Sequence, residues 1–423
     1  MKNPLLLHSE NKTNNLALTS ATPYYIYNMS NIIFFDDNEV RKNLLPLTYT
    51  RPTAMLRCGI TTIASKWKAA IGNEGMTYSF LTVPYLKAKF PLIARRANLM
   101  IAGHVLPNPE LVQQVLALKS GEALMLGEEL IAFRGAARDF DNKHFSKIVH
   151  PTVVPIALHY PYDIFEQNGK AMELDFERLT ARRKSQPISS TCTVIGDKKG
   201  IFIEKGARVE GAFLNTTEGP IYIGADAEVM EGSCIRGPFA ACRHAVAKMG
   251  VKIYGATTFG PYCKVGGEVA NVVFQGYSNK AHDGFLGNAV IGEWCNIGGG
   301  TTASNLKNDY SEVKLWNYAS KRFLRTGRQF CGLIMGDHCK TGVNCMINTG
   351  TVMGVGVNLH GAGFPRPFVG SFHEGSDNAG FKNVKLEAFF STAERVMSRR
   401  GIELTEADRT IYEAIYNIRD KYK

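Results

Sequence analysis

A repeat of six residues constrains the fold of this chain more than any other feature. Apolar or small residues recur at intervals of six through its second half, and a glycine directly follows eight of them. The positions are Ile203, Val209, Ile223, Val229, Ile235, Ile253, Phe259, Val265, Phe285, Ile291, Ile297, Met335, Thr341, Ile347, Met353 and Leu359. An amphipathic helix cannot carry this spacing, because its apolar face recurs every three to four residues. The repeat therefore predicts a solenoid of short strands.

Three six-residue sides would close one turn of about 18 residues, with an inward apolar residue on each side and small residues at the corners. The repeat then predicts about five turns of a triangular prism. The glycine distribution agrees, because 32 of the 41 glycines lie between residues 196 and 380. The repeat breaks at residues 215–220, 237–251 and 304–332. We expect these segments to leave the coil as loops on the binding face.

The repeat also sets the predicted domain organisation. Residues 1–28 are rich in Asn, Thr and Ser without a usable period, and we expect them to form a disordered extension. A small α/β domain is predicted over residues 29–180 and the coil over residues 190–375. Terminal helices are predicted within residues 384–420, where the apolar residues return to helical spacing.

Local patterns in the front domain predict three elements. The apolar run at residues 32–35 ends in Asp36 and Asp37, which is typical of a buried strand that carries carboxylates at its C-terminal end. Residues 110–119 predict a helix, because a capping residue and a proline precede them and a glycine follows. Residues 122–134 predict a hairpin that turns at a glycine.

Composition excludes several classes of protein. No apolar run approaches the 18 or so residues that a membrane span needs, and the opening stretch predicts no export signal. The nine cysteines include no pair in a CxxC arrangement, which favours reduced cytoplasmic thiols over disulfides or structural zinc. The net charge of +11 is spread along the chain. We therefore expect anionic small molecules as ligands and no nucleic acid.

The coil resembles the left-handed β-helix of hexapeptide acyltransferases. Residues 276–287 read GYSNKAHDGFLG, residues 291–301 read IGEWCNIGGGT and residues 304–307 read SNLK. These motifs resemble the acetyltransferase half of the bifunctional enzymes that acetylate glucosamine 1-phosphate and uridylylate the product. The resemblance implies a left-handed parallel β-helix, a homotrimer, a cytoplasmic location and a role in UDP-N-acetylglucosamine biosynthesis.

The front of the chain is similar to an alternative bacterial branch of that family. Arg41 and residues 44–52 and 57–59 match the opening motif of this branch, in which a divergent sugar nucleotidyltransferase domain precedes the coil. The likeness covers about residues 29–415. It implies a nucleoside triphosphate and a sugar 1-phosphate as substrates of the front domain.

Acetyl transfer to an amine needs a base, and histidine suits this task because its pKa of about 6.5 lies near working pH. Of ten histidines, His282 is placed at the insertion side of the coil beside Asp283, and the family has its catalytic histidine here. The resemblance assigns the acetyl acceptor to Asn296 and Asn305, and we expect Tyr277 and Lys280 to replace two binding residues of the family that this chain lacks. The family's Tyr three residues after the histidine is Phe285 in this chain.

Acetyl-CoA is the cosubstrate that the resemblance implies. Glycine backbone amides at Gly299 would approach its thioester. The later turns of the coil and a nearby cation would hold the rest of the molecule. The residues assigned to it are Gly299, Lys340, Gly342, Asn344 and Arg366.

Nucleotidyl transfer needs cations or backbone amides for a triphosphate, and usually Mg2+ on a carboxylate. The front domain has no glycine-rich loop, and its early cations are Arg41, Arg51, Arg57 and Lys66. We expect these four to bind phosphate. His104 replaces the metal-binding Asp of the family, so Asp36 and Asp37 are the candidates for Mg2+.

Other functions stay open at this stage. The chain could be a nucleotidyltransferase only, for instance one that uses a thymidylyl donor and glucose 1-phosphate, with a coil that trimerises it. It could also be a non-catalytic sugar-nucleotide-binding scaffold. A γ-class carbonic anhydrase shares the coil but needs three metal histidines, for which His282, His338, His360 and His244 are the available residues.

Overall fold

The computed structural model describes residues 31–72 and 75–422, and the extension predicted over residues 1–28 lies outside the described residues. In the described part of the chain, the front domain is one mixed sheet of six strands in the order β2-β1-β3-β5-β4-β6. The strands are β1 (Asn31–Phe35), β2 (Thr77–Leu81), β3 (Asn98–Ala102), β4 (Glu122–Leu126), β5 (Glu129–Gly135) and β6 (Lys147–Val149). The helices are α1 (Asn38–Asn43), α2 (Ile63–Ile71), α3 (Pro109–Ala117), α4 (Ala137–Asp141), α5 (Pro161–Glu166) and α6 (Asn168–Thr180).

The strand, the helix and the hairpin that the sequence predicts in the front domain are all confirmed. Local sequence signals explain why they form. Every residue of β1 is buried, and β1 pairs in parallel with β2 and β3. The side chain of Asn108 caps α3 by accepting a hydrogen bond from the amide of Leu111, and Pro109 is the first helical residue. Gly127 makes the tight connection between β4 and β5 at a φ of 61°, which suits a residue without a Cβ atom.

The second domain is a parallel β-solenoid with three sides, which confirms the predicted fold class. Side 1 contains Thr193–Ile195, Phe213–Asn215, Cys234–Arg236, Lys252–Tyr254, the first halves of Glu268–Gly276 and Phe285–Glu293, Thr302–Ala303 and Met346–Ile347. Side 2 contains Ile201–Ile203, Ile221–Ile223, Phe239–Ala241, Thr257–Phe259, the second halves of the two long strands, Ile334–Met335, Val352–Met353 and Phe368–Val369. Side 3 contains Arg208–Val209, Glu228–Val229, Val246–Ala247, Lys264–Val265, Asn279–Lys280, Lys340–Thr341, Asn358–Leu359 and His373–Ser376.

The prediction of about five turns is wrong, because nine strands stack on side 2. The inward residues of these strands are Ile203, Ile223, Ala241, Phe259, Phe274, Ile291, Met335, Met353 and Val369. Successive inward positions lie 15 to 20 residues apart outside the long excursion, so many turns fall out of phase with a strict period of six. Residues 237–251 are likewise no loop, because Phe239–Ala241 and Val246–Ala247 are strands of the coil. The phase also slips at Phe285, where Leu286 takes the buried position.

The excursion at residues 304–332 does leave the coil, as predicted. It contains an antiparallel pair of strands, Lys314–Asn317 and Arg322–Arg325. Instead of bordering an open face it packs on the front domain, where the guanidinium of Arg328 lies 4.4 Å from the ring centre of Tyr162 and pairs with Glu166 at 2.5 Å. The excursion therefore joins the two domains.

Side 2 is the covered side of the prism. Its outward residues Val273, Val290 and Ile334 belong to the same apolar core as the front-domain sheet. The terminal helices α7 (Leu386–Ser398) and α8 (Glu406–Ile418) join this core. The N-cap of α8 is Thr405, which shares reciprocal capping hydrogen bonds with Asp408.

Candidate functional site

His282 lies where side 3 turns into side 1, a position we call the 3–1 corner. It follows the strand Asn279–Lys280, and its side chain is exposed. The next turn of the coil places Gly299 beside it, because a Cβ atom at Gly299 would lie 3.3 Å from the Cβ atom of His282. A larger residue at Gly299 would crowd the imidazole, so glycine keeps the space beside His282 open.

Two more of the predicted residues lie on the 3–1 corner, one turn farther along the coil. The amide of Asn344 donates a hydrogen bond of 2.7 Å to the carbonyl oxygen of Gly299. Gly342 stacks closely on the preceding turn, since a Cβ atom at Gly298 would lie 2.2 Å from the Gly342 carbonyl oxygen. The structure thus brings His282, Gly299, Gly342 and Asn344 together in one column.

Lys280 has a different position from the one expected of a residue that contacts substrate. Its side chain points into the coil and is 1% exposed. Nζ donates hydrogen bonds to the carbonyl oxygen of His282 at 2.7 Å and to that of Gly266 at 3.2 Å. Burial lowers the pKa of Lys280 to about 8, while the charge of Asp283 acts in the opposite direction. Lys280 is a positioning residue, because it fixes the peptide that carries His282.

The Lys280→Met variant is expected to lose a specific pH dependence of stability. Because the folded-state pKa of Lys280 is lowered, the unfolded chain holds the extra proton from about pH 8 to about pH 10. The wild-type free energy of unfolding therefore gains about 1–2 kcal/mol relative to the variant between about pH 8 and about pH 9.5. Urea titrations of both proteins at the two pH values measure this difference. Parallel pH dependences would show that the folded coil does not lower the pKa of Lys280.

A group of cations lies on the outer surface of side 3 next to the 3–1 corner. It consists of Lys248, Lys264, Arg399 and Arg400, which we call the basic cluster. Lys264 pairs in register with Asn279, whose Oδ1 accepts a hydrogen bond of 3.1 Å from Arg400. Burial lowers the pKa of Lys264, and the charges of Arg400, Lys248 and Arg399 lower it further, while the charge of Glu228 acts in the opposite direction. Cations that repel one another in this way favour a bound anion.

Contacts with Gly266 connect the basic cluster to His282. A Cβ atom at Gly266 would lie 3.2 Å from the Cβ atom of Lys248 and 2.7 Å from the carbonyl oxygen of Ala281. Lys248 and the residue before His282 therefore stack on either side of one glycine. Sequence reasoning missed Lys248 and Lys264, because outward positions of the repeat follow no periodic pattern that would mark them.

Tyr277 does not lie near His282. It occupies the corner between sides 2 and 3, where five residues with a φ of 55–62° stack their rings. The stack is His244, Tyr262, Tyr277, Trp294 and His338, with ring centres 4.6, 5.3, 4.2 and 6.1 Å apart. The stack borders a cavity of about 570 Å³ between the front domain, the coil and the terminal helices.

The remaining residues predicted for the coil are spread over its surface. The backbone of Asn296 lies between Asn279 and Lys340 on side 3, and its side chain is exposed. Asn305 donates a hydrogen bond of 2.8 Å to Asn288, at the corner between sides 1 and 2. Nζ of Lys340 turns toward the aromatic stack and donates to the carbonyl oxygen of His338 at 2.8 Å. Arg366 pairs with Asp377 at 3.0 Å.

The four cations predicted to bind phosphate in the front domain do not form one cradle. The side chain of each forms hydrogen bonds or ion pairs with acceptor groups of the protein. Arg41 donates to Thr48 and Tyr85, Arg51 pairs with Asp337 and Glu293, Arg57 donates to Gln275 and Ile60, and Lys66 pairs with Asp175. Their assignment to phosphate stays a prediction.

Asp36 and Asp37 also meet protein partners. Asp36 accepts hydrogen bonds from the amide and hydroxyl of Thr53 at 2.8 and 2.6 Å, and it contacts Arg41 at 3.6 Å. Asp37 caps α1 by accepting hydrogen bonds from two helical amides at 2.9 Å. The two carboxylates are therefore parts of the local hydrogen-bonding network, and neither belongs to the metal-ligand grouping found in the described residues.

That grouping is His104, Glu129 and His159, whose candidate ligand atoms lie within 4.8 Å of one another. Nε2 of His104 is 2.6 Å and Nε2 of His159 is 2.9 Å from Oε1 of Glu129. Burial acts to raise the pKa of Glu129, but the two histidine hydrogen bonds outweigh it and lower the pKa to about 2. The sequence singled out His104 alone, because its partners come from distant segments.

The histidines that a carbonic anhydrase would need are not assembled. His244 and His338 belong to the aromatic stack, whereas His282 lies on the 3–1 corner. Within residues 31–72 and 75–422, no metal-ligand grouping includes any of these or His360.

Comparisons with known proteins find similarity to parts of this chain. Residues 32–184 match the family model described as sugar nucleotidyl transferase. Over 100 residues the chain is 35% identical to a bifunctional sugar-1-phosphate nucleotidylyltransferase/acetyltransferase of Sulfurisphaera tokodaii, a match that covers 23% of this chain and 24% of that protein. Over 87 residues it is 36% identical to the bifunctional protein GlmU of Methanocaldococcus jannaschii, which covers 21% of each. These matches confirm the predicted resemblance, although the chain spans only about a quarter of the length of these relatives.

Among solved structures, a UDP-N-acetylglucosamine acyltransferase from Campylobacter jejuni aligns with 54% of this chain and 83% of its own, at 13% identity and a TM-score of 0.30. A search of the described helices finds none that is long and apolar enough to cross a membrane.

Proposed function

We propose that this chain is a bifunctional transferase of sugar-nucleotide synthesis. The coil N-acetylates a hexosamine 1-phosphate with acetyl-CoA, and the front domain transfers a nucleotidyl group to a sugar 1-phosphate. The observation that supports acetylation best is the 3–1 corner, where an exposed histidine, a column of glycines and the basic cluster adjoin. The match of residues 32–184 to the sugar nucleotidyl transferase family supports the second activity.

In the coil, His282 acts as the general base and takes a proton from the ammonium group of the acceptor. The basic cluster neutralises the phosphate of the acceptor. Acetyl-CoA supplies the acetyl group as a thioester and fits beside Gly299, where a side chain would fill the space. The amides of Gly298 and Gly300 already donate to Thr341 and to the carbonyl of Asp283. Of these three glycines, Gly299 is left to donate to the thioester oxygen.

The proposed assembly is a homotrimer in which a second copy covers the 3–1 corner. Apolar side chains are exposed along this corner and at the adjoining edge of side 1, with Met249 at 71%, Val343 at 75% and Met346 at 44% of their full exposure. A neighbouring coil would remove this apolar surface from water. Substrates such as acetyl-CoA and nucleoside triphosphates further favour a cytoplasmic location.

One incubation tests both activities. The protein is mixed with acetyl-CoA, glucosamine 1-phosphate, Mg2+ and each nucleoside triphosphate in turn, and products are read by mass. N-acetylglucosamine 1-phosphate and its UDP derivative are the expected products, and a thymidylyl product with glucose 1-phosphate would change the donor and the sugar. Binding of nucleotide without any product would favour the non-catalytic scaffold.

The Lys248→Gln/Lys264→Gln variant is expected to raise KM for the hexosamine phosphate about tenfold or more, because each charge-assisted hydrogen bond to phosphate contributes roughly 1.5–3 kcal/mol. KM for acetyl-CoA should change little. Steady-state kinetics with each substrate varied in turn measure both values. Lys199→Gln, an exposed lysine of the first turn, is the control. An increase confined to KM for acetyl-CoA would assign the basic cluster to the phosphates of CoA instead.

A further inference from the structure

The backbone of the front domain brings His104, Glu129 and His159 together. β3 and β5 pair in antiparallel register with Ile101 opposite Ala132, so His104, three residues after Ile101, and Glu129, three residues before Ala132, stand opposite one another. The amide of Leu158 donates a hydrogen bond of 2.9 Å to the carbonyl oxygen of His104, which places His159 at the same point. The juxtaposition therefore follows from the fold.

The geometry of the three side chains suits a metal ion. Two imidazole nitrogens converge on a single carboxylate oxygen, at 2.6 and 2.9 Å. His104 is 1% exposed, and its Nδ1 is buried without a hydrogen-bond partner in the described structure. The orientation of the ring is therefore set by the contact of Nε2 with Glu129. The side chains of Glu129 and His159 are 26% and 41% exposed, which leaves an open side toward solvent. Three protein ligands with an open position are typical of zinc sites that bind water or substrate.

The chemistry of the donor set selects among metals. Imidazole nitrogens suit Zn2+ and the neighbouring transition metals, whereas Mg2+ prefers oxygen ligands throughout. We propose that His104, Glu129 and His159 form a binding site for one divalent transition-metal ion of the Zn2+ class. This site is separate from the predicted Mg2+ ligands Asp36 and Asp37. It goes beyond the proposed function, because metal binding at these residues does not require either transferase activity.

The location of the site gives it access to a ligand. His104 follows the carboxyl end of β3, and Asp37 follows the carboxyl end of the neighbouring parallel strand β1. Ligands of open α/β sheets bind at this edge. A metal on the open side of His104, Glu129 and His159 would therefore face any phosphate or sugar bound there.

Metal titration of the full chain tests the proposal without measuring catalysis. Protein purified without a polyhistidine tag is stripped with a chelator and titrated with Co2+, whose visible absorption reports coordination by protein ligands. We expect one equivalent of Co2+ to bind, Zn2+ to displace it, and an equal concentration of Mg2+ to leave it in place. Failure of Co2+ and Zn2+ to bind, or displacement by equal Mg2+, would overturn the proposal.

Single replacements then locate the ion. Glu129→Gln and His159→Ala remove partly exposed ligands and should each weaken binding at least about tenfold. His150→Ala, an exposed histidine of the same domain, should bind as the wild type does. Circular dichroism confirms that each variant is folded. Equal affinities of the wild type, Glu129→Gln and His159→Ala would contradict this location, whichever transferase activities the protein has.

Discussion

Replacement of His282 by alanine is expected to lower kcat for acetyl transfer by at least about 100-fold, the usual contribution of a general base. The exposed imidazole lies beside Gly299 at the 3–1 corner, whereas His360 of the same corner lies farther along the coil, beside Gly342. KM for the hexosamine phosphate should change far less, because the basic cluster stays in place. Release of CoA in the presence of glucosamine 1-phosphate measures both constants.

A control variant and a pH series show whether the loss of rate comes from the missing base. His144→Ala removes an exposed histidine of the front domain and should keep full acetyl transfer. Raising the pH deprotonates the acceptor amine without a base, so the rate of His282→Ala should recover in part as the pH rises. Unchanged turnover by His282→Ala near neutral pH would contradict the assignment. Nucleotidyl transfer by the front domain should be unaffected and reports that the variant is folded.

How far the sequence could predict the coil depended on where the repeat stays regular. Inward positions such as Ile223 and Met353 lie in regular turns, and the period of six identified them. Turns as short as 15 residues shift the phase, so a strict period of six misses the turn ending at Phe274 and predicts an inward position for Phe285. A corner can be a few residues shorter while the strands of successive turns stay paired. The stacking of the strands is therefore more regular than the spacing of the apolar residues in the sequence.

The candidate sites were less predictable than the fold. His282 stands in a contiguous motif, whereas Lys264 and Arg400 approach one another only because the C-terminal end of α7 reaches side 3. Lys280 is not a position of the six-residue repeat, so the repeat predicts it on the surface. Its side chain nevertheless points inward, because it is long enough to reach carbonyl groups at the corner. Contacts of this kind depend on tertiary structure, which a single sequence does not specify locally.

The front-domain cations illustrate the same limit. Arg51 was expected to bind phosphate, but the structure buries it between the front domain and the coil. Its guanidinium pairs with Asp337 and lies 2.9 Å from Glu293. Asp337 also accepts hydrogen bonds from the hydroxyl of Thr50 at 2.6 Å and from the amide of Glu293 at 2.8 Å. The carboxylate of Asp337 thus accepts hydrogen bonds from three donors at the junction of the domains.

The Asp337→Ala variant is therefore expected to lose about 3–5 kcal/mol of unfolding free energy, because its removal leaves the buried Arg51 guanidinium with Glu293 alone and leaves the Thr50 hydroxyl without its acceptor. Asp377→Ala, which breaks the exposed ion pair with Arg366, should cost less than about 1 kcal/mol and is the matched control. Urea unfolding followed by circular dichroism measures both differences. A loss for Asp337→Ala no larger than that of the control would show that the domains do not depend on this pair.

A double replacement separates the charge from the packing. In the Arg51→Met/Asp337→Leu variant both charges are replaced by apolar side chains of similar size, and such exchanges of buried ion pairs are often neutral or stabilising. We expect the double variant to be more stable than Asp337→Ala by about 2 kcal/mol or more. If it is no more stable than Asp337→Ala, the hydrogen bonds from Thr50 and Glu293 account for the loss. Recovery would instead show that the loss in Asp337→Ala comes from the buried charge of Arg51 that is left behind, and that apolar packing can replace the ion pair at this junction.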